Sequence, residues 1–486
     1  MLTEPRRQSV PRLIAWLGAP WLDMAMVVFG VWAAFATTLL TYRSVADDDG
    51  PASYLAASGV ALAFLLLARC VGRRGAQWVP PFVRFASQPS IGVIVAAALL
   101  LRLIWVMTVN ASPASDGAVY LQLARQLADG EEYFTNGTYA YWPAGYPLFL
   151  VPWVWLFDGS RWIWVVPNLL LSMVGVYGVW RLVLSVADES AARIAAVLFA
   201  LWPNLIVMTA TPDKENVVVA LLPWAVWSVL AAIRGSGGVR HAGLAGALLG
   251  ACTLVQPSVQ LLLPLLVGLL GLTLGPARAL IASAAFVLGA ALIVAPWTIR
   301  NYEQFGRFVL VSSNGGDNLY RANNPLAHGG WTPSGEVVLD QPDELERDAA
   351  YKALALHWIR AHPGDFLRLT FEKQARFMGD DAAGVYSALK VGKGTDSGSL
   401  YFLVKSAANL WWLLSWLLLV GALLSRRRNE RSEVSPWARL PFWLWIYFFV
   451  LHSVFESTGK YHVPVLWVLP AMLGVALSAR AMHRSP

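Results

Sequence analysis

Four short polar stretches of this chain carry the residue types that acid–base and phosphate chemistry need. Asp116 stands in Ser115-Asp116-Gly117-Ala118-Val119-Tyr120, just past an apolar run over 91–109 that is long enough to cross a bilayer. A carboxylate there can take a proton from a hydroxyl at a membrane surface. It equally suits the N-cap of a helix over 117–128. Pro212-Asp213-Lys214-Glu215-Asn216 puts three consecutive charges between two apolar helices. Asp213 and Glu215 can orient a nucleophile, or join Asp116 in holding a divalent metal ion, and Lys214 can meet a phosphate. A solvated turn with a helix cap accounts for the same residues. Arg300 closes Ala295-Pro296-Trp297-Thr298-Ile299-Arg300, where a guanidinium can fork onto phosphate oxygens or snorkel to the headgroups. Arg102 lies inside the 91–109 run, where hydrocarbon makes it costly, so a partner such as Glu215 or a lipid phosphate is expected. Lys460-Tyr461-His462-Val463-Pro464 is a further basic-aromatic turn. No Ser-His-Asp pattern, Cys-His zinc cluster or phosphate-binding glycine loop is present.

The rest of the chain must bring these residues to one face of a membrane. Of 486 residues 57% are hydrophobic and 14% charged, about half the charged share of a soluble domain. The net charge of +7 reads as a topology signal and carries no nucleic-acid signature. Cys70 and Cys252 sit in apolar runs, so no disulfide framework is expected. Runs long enough to span fall near 20–42, 54–70, 91–109, 162–183, 190–208, 216–233, 242–256, 259–274, 279–298, 402–424, 440–455 and 463–479, about twelve in all. The shorter stretch 146–157 reads as re-entrant or interfacial. The positive-inside rule puts both termini in the cytoplasm, because Arg69, Arg73, Arg74, Arg84, Arg181, Arg193, Arg234, Arg240 and Arg278 then fall inside. So do Arg426, Arg427, Arg428, Arg431 and Arg439, while Asp47, Asp48 and Asp49 face out. All four polar stretches and the segment 300–400 then share the outer face. That segment is too long to be structureless. It reads as an acidic helix start at Asp343-Glu344-Leu345-Glu346, helical spacing over 349–362, a break at Pro363 and a second helix over 366–378.

In this order the motifs resemble the GT-C fold of lipid-phosphosugar-dependent glycosyltransferases. The resemblance is nearest to bacterial members of the protein mannosyltransferase and aminoarabinose transferase superfamily. Asp116-Gly117-Ala118-Val119-Tyr120 resembles the family's first-loop acid followed by Tyr, and Trp142-Pro143-Ala144-Gly145-Tyr146-Pro147 its proline-rich approach to a juxtamembrane helix. Asp213-Lys214-Glu215 resembles the second acidic motif. The run Pro296 to Tyr302, then Asn314-Gly315-Gly316-Asp317-Asn318-Leu319 and Asn323-Asn324-Pro325, resembles many bacterial members.

The resemblance covers roughly residues 91–480 and implies an all-α polytopic membrane protein, about twelve transmembrane helices with extracytoplasmic juxtamembrane helices. Its parts would be a two-helix extension over 1–90, a catalytic module over 91–299, external helices over 300–400 and a three-helix segment over 401–486. The implied activity is an inner-membrane transfer of sugar from a polyprenyl-phosphate carrier to an extracytoplasmic lipid, glycan or protein acceptor. Asp116 carries over as general base, with Asp213 and Glu215 in support. Arg300, Lys214, Arg102 and Lys460 would contact the donor phosphate, and Tyr120, Tyr461, His462 and Asn318 the substrates. No cofactor is implied beyond a divalent ion at Asp116, Asp213 and Glu215. Relatives commonly add a folded domain or more spans where this chain stops, soon after Pro464, so the acceptor stays open. Two readings compete. A polysaccharide ligase uses similar donors but relies on Arg and His in a large external loop. A lipid-linked sugar transporter would favour repeated halves and charges at mid-membrane, whereas here the charges gather at one face.

Overall fold

The computed structural model describes residues 11–47, 49–235, 238–332, 343–392, 398–425 and 434–482. Asp48, Arg426, Arg427, Arg428 and Arg431, on which part of the sidedness argument rests, lie outside the described residues. Without water to bond the backbone, an apolar run must close its own hydrogen bonds, and the chain accordingly folds as helices. Among the described residues the one extended pairing outside helices is the isolated bridge Thr135–Thr138.

The chain opens with α1 (Trp21–Ala46), α2 (Pro51–Ala86) and α3 (Ile91–Thr108). The loop after α3 holds α4 (Asp116–Ala128) and the apolar α5 (Gly145–Phe157). Then come α6 (Trp162–Val186), α7 (Glu189–Ala200), α8 (Glu215–Arg234), α9 (Gly238–Val255), α10 (Leu262–Thr273) and α11 (Pro276–Phe305). The long segment folds as α12 (Gly315–Ala322), α13 (Glu344–Ala361) and α14 (Pro363–Gly379). The chain finishes with α15 (Gly398–Leu424), α16 (Phe442–Leu451) and α17 (Val468–Met482).

Among the described residues eight helices are long and apolar enough to cross a membrane. Two further candidates are bent by 55°: Glu189–Ala200 with Pro203–Ala210, and Gly459–Val465 with Val468–Ala481. The runs 259–274 and 440–455 form helices shorter than a full crossing. Local signals in the external segment hold. Asp343 caps α13 by accepting from the Leu345 and Glu346 amides, and Pro363 opens α14 after the break.

The two N-terminal helices pack on α14 and α15, so the extension and the C-terminal segment form one block. Arg43 Nη1 lies 2.9 Å from Glu372 of α14, and Arg439 Nε lies 2.9 Å from Asp23 with both side chains buried. Removing one member of a buried pair strands the other charge in a dry interior, at roughly 3–5 kcal/mol. Asp23→Leu should therefore depress the melting temperature in detergent strongly, and Asp23→Leu/Arg439→Met should recover part of the loss. A melting curve unchanged in Asp23→Leu would show that the pair holds nothing together.

Candidate active site

Asp116 is the first residue of α4. Ser115 before it sits at φ +50° and ψ −133° and makes no side-chain cap, so the cap role read for Asp116 is not what the fold uses. That backbone is strained for a residue with a side chain, and such strain concentrates at functional sites. The Asp116 carboxylate instead meets Lys460, whose Nζ lies 3.1 Å from Oδ2. Gly117 follows because the helix closes on the turn at 211–215: a Cβ there would come within 2.8 Å of the Pro212 ring.

The turn exists because a membrane helix is broken and its freed backbone groups are bonded again. Asn168 of α6 donates to the Thr209 and Thr211 carbonyls at 3.3 and 2.9 Å. Asn216 donates to the Met208 and Asp213 carbonyls, each at 3.1 Å. Asp213 then sits buried, accepting from the Thr211 hydroxyl at 2.7 Å. Glu215 is buried too, with Oε1 3.7 Å from Lys460 Nζ and no hydrogen-bond partner for Oε2. Lys214 lies over the Tyr120 ring at 5.6 Å, and Tyr120 meets Trp142 and Tyr146 edge-on.

Electrostatics separates the two loop acids. Lys460 holds the Asp116 carboxyl down to about 2, so it is ionised at any physiological pH but is a weak base while paired. Burial pushes Asp213 the other way.

A cavity of about 540 Å³ joins these groups. Asp116, Asp213, Glu456, Lys460 and Tyr461 line it, as do Asp380, Tyr386, Tyr401 and Lys405. Lys405 pairs with Asp380 at 3.0 Å and rides on α15, whose neighbouring Phe402 and Leu403 are 67% and 68% exposed on an apolar helix. The cavity therefore borders the surface that faces lipid.

Several residues expected at the site lie elsewhere. The Arg300 guanidinium donates to the Tyr139 and Tyr133 carbonyls at 2.8 and 3.2 Å and stacks over Trp297, so it fastens the loop between α4 and α5 and does not line the cavity. Arg102 does not pair with Glu215 and does not line the 540 Å³ cavity. It is fully buried and donates to the Ala200 carbonyl at 2.7 Å, at the C-terminus of α7, where a helix end leaves carbonyls to be satisfied. His462 is buried between the Phe377 carbonyl at 2.5 Å and Asp381 at 3.1 Å. Tyr120 is buried beneath Lys214. Asn318 lies on α12 beside Asp317, which lines a separate cavity of about 290 Å³ with Tyr141, Trp142, Glu344 and Asp348. Residues not anticipated at the site are Lys405, Glu456 and Tyr401. Lys405 carried a visible signal, a charge inside an otherwise apolar span.

The divalent ion read at Asp116, Asp213 and Glu215 does not fit this arrangement. A lysine ammonium stands between two of the three carboxylates. Among the described residues no three His, Cys, Asp or Glu side chains converge as a metal site.

Residues 143–299 match the family described as dolichyl-phosphate-mannose-protein mannosyltransferase. The fold is similar to that of an Archaeoglobus fulgidus oligosaccharyltransferase solved with zinc and sulfate, at TM-score 0.50 and 15% identity, covering 80% of this chain and 50% of that one. AglB of the same organism, solved with an inhibitory peptide and a dolichol-phosphate, gives 0.48 and 13%, covering 79% and 50%. ArnT from Cupriavidus metallidurans, bound to undecaprenyl phosphate, gives 0.41 and 13%, covering 81% and 79%. No curated protein matches. The chain spans about half the length of the archaeal structures. The family match and the shared fold bear out the resemblance carried by the motifs: this is a polytopic membrane protein with the GT-C fold of glycosyltransferases.

Because Arg300 satisfies loop carbonyls, Arg300→Ala should cost stability, about 1–3 kcal/mol for the stranded groups. A melting curve of the purified protein in detergent checks this. An unchanged melting curve would show that the clasp holds nothing together.

Proposed function

We propose that this protein transfers a sugar from a polyprenyl-phosphate carrier to a nucleophile on the outer face of the cytoplasmic membrane. The observation that carries the reading is the single cavity in which Asp116, Asp213 and Lys460 meet Lys405 on a lipid-facing helix. A carrier whose tail stays in the bilayer can present its phosphate to Lys405 and Lys460. Its glycosyl carbon then lies toward the acids. The acceptor oxygen bonds to that carbon as the carbon–phosphate oxygen bond breaks. The acceptor's proton passes to Asp116, and the polyprenyl phosphate leaves against the lysines. Paired with Lys460, Asp116 is a poor base. An arriving phosphate competes for the same ammonium and restores basicity as the substrates assemble, and the buried Asp213 orients the acceptor. Lys214 lies close enough to add positive charge, since its field acts on Asp116.

Asp116→Asn keeps the shape of the side chain but cannot take a proton, so transfer should fall by about 10²–10⁴-fold with lipid binding retained. Lys405→Ala should do the opposite, weakening polyprenyl-phosphate binding first. Turnover of purified Asp116→Asn near the wild-type rate would remove the base assignment.

The topology expected from the arginines adds a separate test. With both termini in the cytoplasm, the segment 300–400 lies outside, and protease added to intact spheroplasts should cut within it. Cleavage seen only after lysis would place the site on the other face.

A further inference from the structure

We propose that Lys460 is the resident cation of this site, standing where a divalent metal would otherwise bridge Asp116 and Glu215. Its Nζ lies 3.1 Å from Asp116 Oδ2 and 3.7 Å from Glu215 Oε1. A divalent ion bound to the same two oxygens would sit about 2.0–2.6 Å from each, inside the volume that the ammonium fills. The position is built. Lys460 is the second residue of a short helical segment, Gly459–Val465, whose Thr458 cap accepts from the Lys460 amide. Gly459 lies so close to the Asp380 carbonyl that a Cβ would approach within 1.8 Å of its oxygen. His462, two residues on, is buried between Phe377 and Asp381. Lys460 thus enters the cavity from a rigid base.

The charge inventory calls for such a cation. Asp116, Asp213, Glu215 and Glu456 crowd one region, and carboxylates so placed repel unless a positive group lies among them. A metal would hold its ligands with fixed geometry. An ammonium carries three donors on a flexible stem, so it can share two carboxylates and turn one donor to an arriving phosphate. Only that last step rests on the transfer reading above; the placement of the cation rests on the geometry alone.

Titration of the purified protein in detergent with Mn²⁺, followed by electron paramagnetic resonance, tests the proposal. The wild type should take up no stoichiometric Mn²⁺. Lys460→Met and Lys460→Ala should each gain one site, lost again when Glu215→Gln is added. One Mn²⁺ bound by the wild type and released by Glu215→Gln would overturn the proposal. So would the absence of any site in Lys460 variants that melt as folded proteins. If neither variant folds, the wild-type titration against Glu215→Gln still decides. Mn²⁺ uptake needs no turnover, so its outcome is independent of whether sugar transfer from a polyprenyl-phosphate donor is observed. If it is observed, transfer should persist in excess chelator.

Discussion

One buried carboxylate, Asp381, holds the walls of the cavity together. Its oxygens accept from Trp202 Nε1 at 2.6 Å, from Asn204 Nδ2 at 2.9 Å and from His462 Nε2 at 3.1 Å, and its amide donates to Asn409 at 2.8 Å. The His462 ring bridges the Phe377 carbonyl on its Nδ1 side and the Asp381 carboxyl on its Nε2 side. These partners come from the break after α7, the end of α14, α15 and the segment before α17. A carboxyl this deep is tolerated because each of its oxygens has a donor, and removing one donor would leave it expensively exposed to an apolar interior. The consequence for function is positional. Asp380 precedes Asp381 and Lys460 lies two residues before His462, so both cavity walls hang from this junction.

The second constraint is the backbone. A span that breaks near the membrane surface frees amides and carbonyls that lipid cannot satisfy. Asn168, Asn216 and Arg102 are spent on those groups, at Thr209, Thr211, Met208, Asp213 and Ala200. The break in turn lets Asp213 line the cavity and puts Glu215, at the start of α8, within reach of Lys460. Polar residues inside the spans are thus structural, and they make possible the functional ones at the edge.

This division explains which parts of the molecule are legible in the sequence. Apolar runs, the cap at Asp343 and the break at Pro363 depend on neighbours within a few residues, and the fold follows them. Asp116, Asp213 and Glu215 stand out because charges are rare beside apolar runs, while a helix cap or a solvated turn accounts for them equally well at the level of the sequence. The roles of Arg300, Arg102 and His462 depend on where a long side chain reaches. Their partners, Tyr139, Ala200 and Asp381, lie 161, 98 and 81 positions away. Nothing local marks such partners, and an arginine at a membrane edge reads equally as a phosphate fork or a carbonyl clasp. Lys405 reads two ways: a charge in an otherwise apolar span signals a role, and near the end of that span snorkelling explains it as well.

The basic residues divide by chemistry in a way that composition alone leaves unexplained. Arg102 donates to the Ala98 and Ala200 carbonyls and Arg300 to those of Tyr133 and Tyr139, while Arg439 ties the Gly18 and Val434 carbonyls to the Asp23 carboxylate. The planar guanidinium suits that duty because its donors are fixed in direction and its charge is weakly hydrated. The cations lining the cavity, Lys405 and Lys460, are both lysines, each held by carboxylates and not by carbonyls. A carboxylate can exchange one cation for another or share it with a phosphate, whereas a carbonyl clasp that let go would open the fold. The distribution therefore separates cations that must never move from cations that can. The movable ones stand where a charged substrate would compete for them.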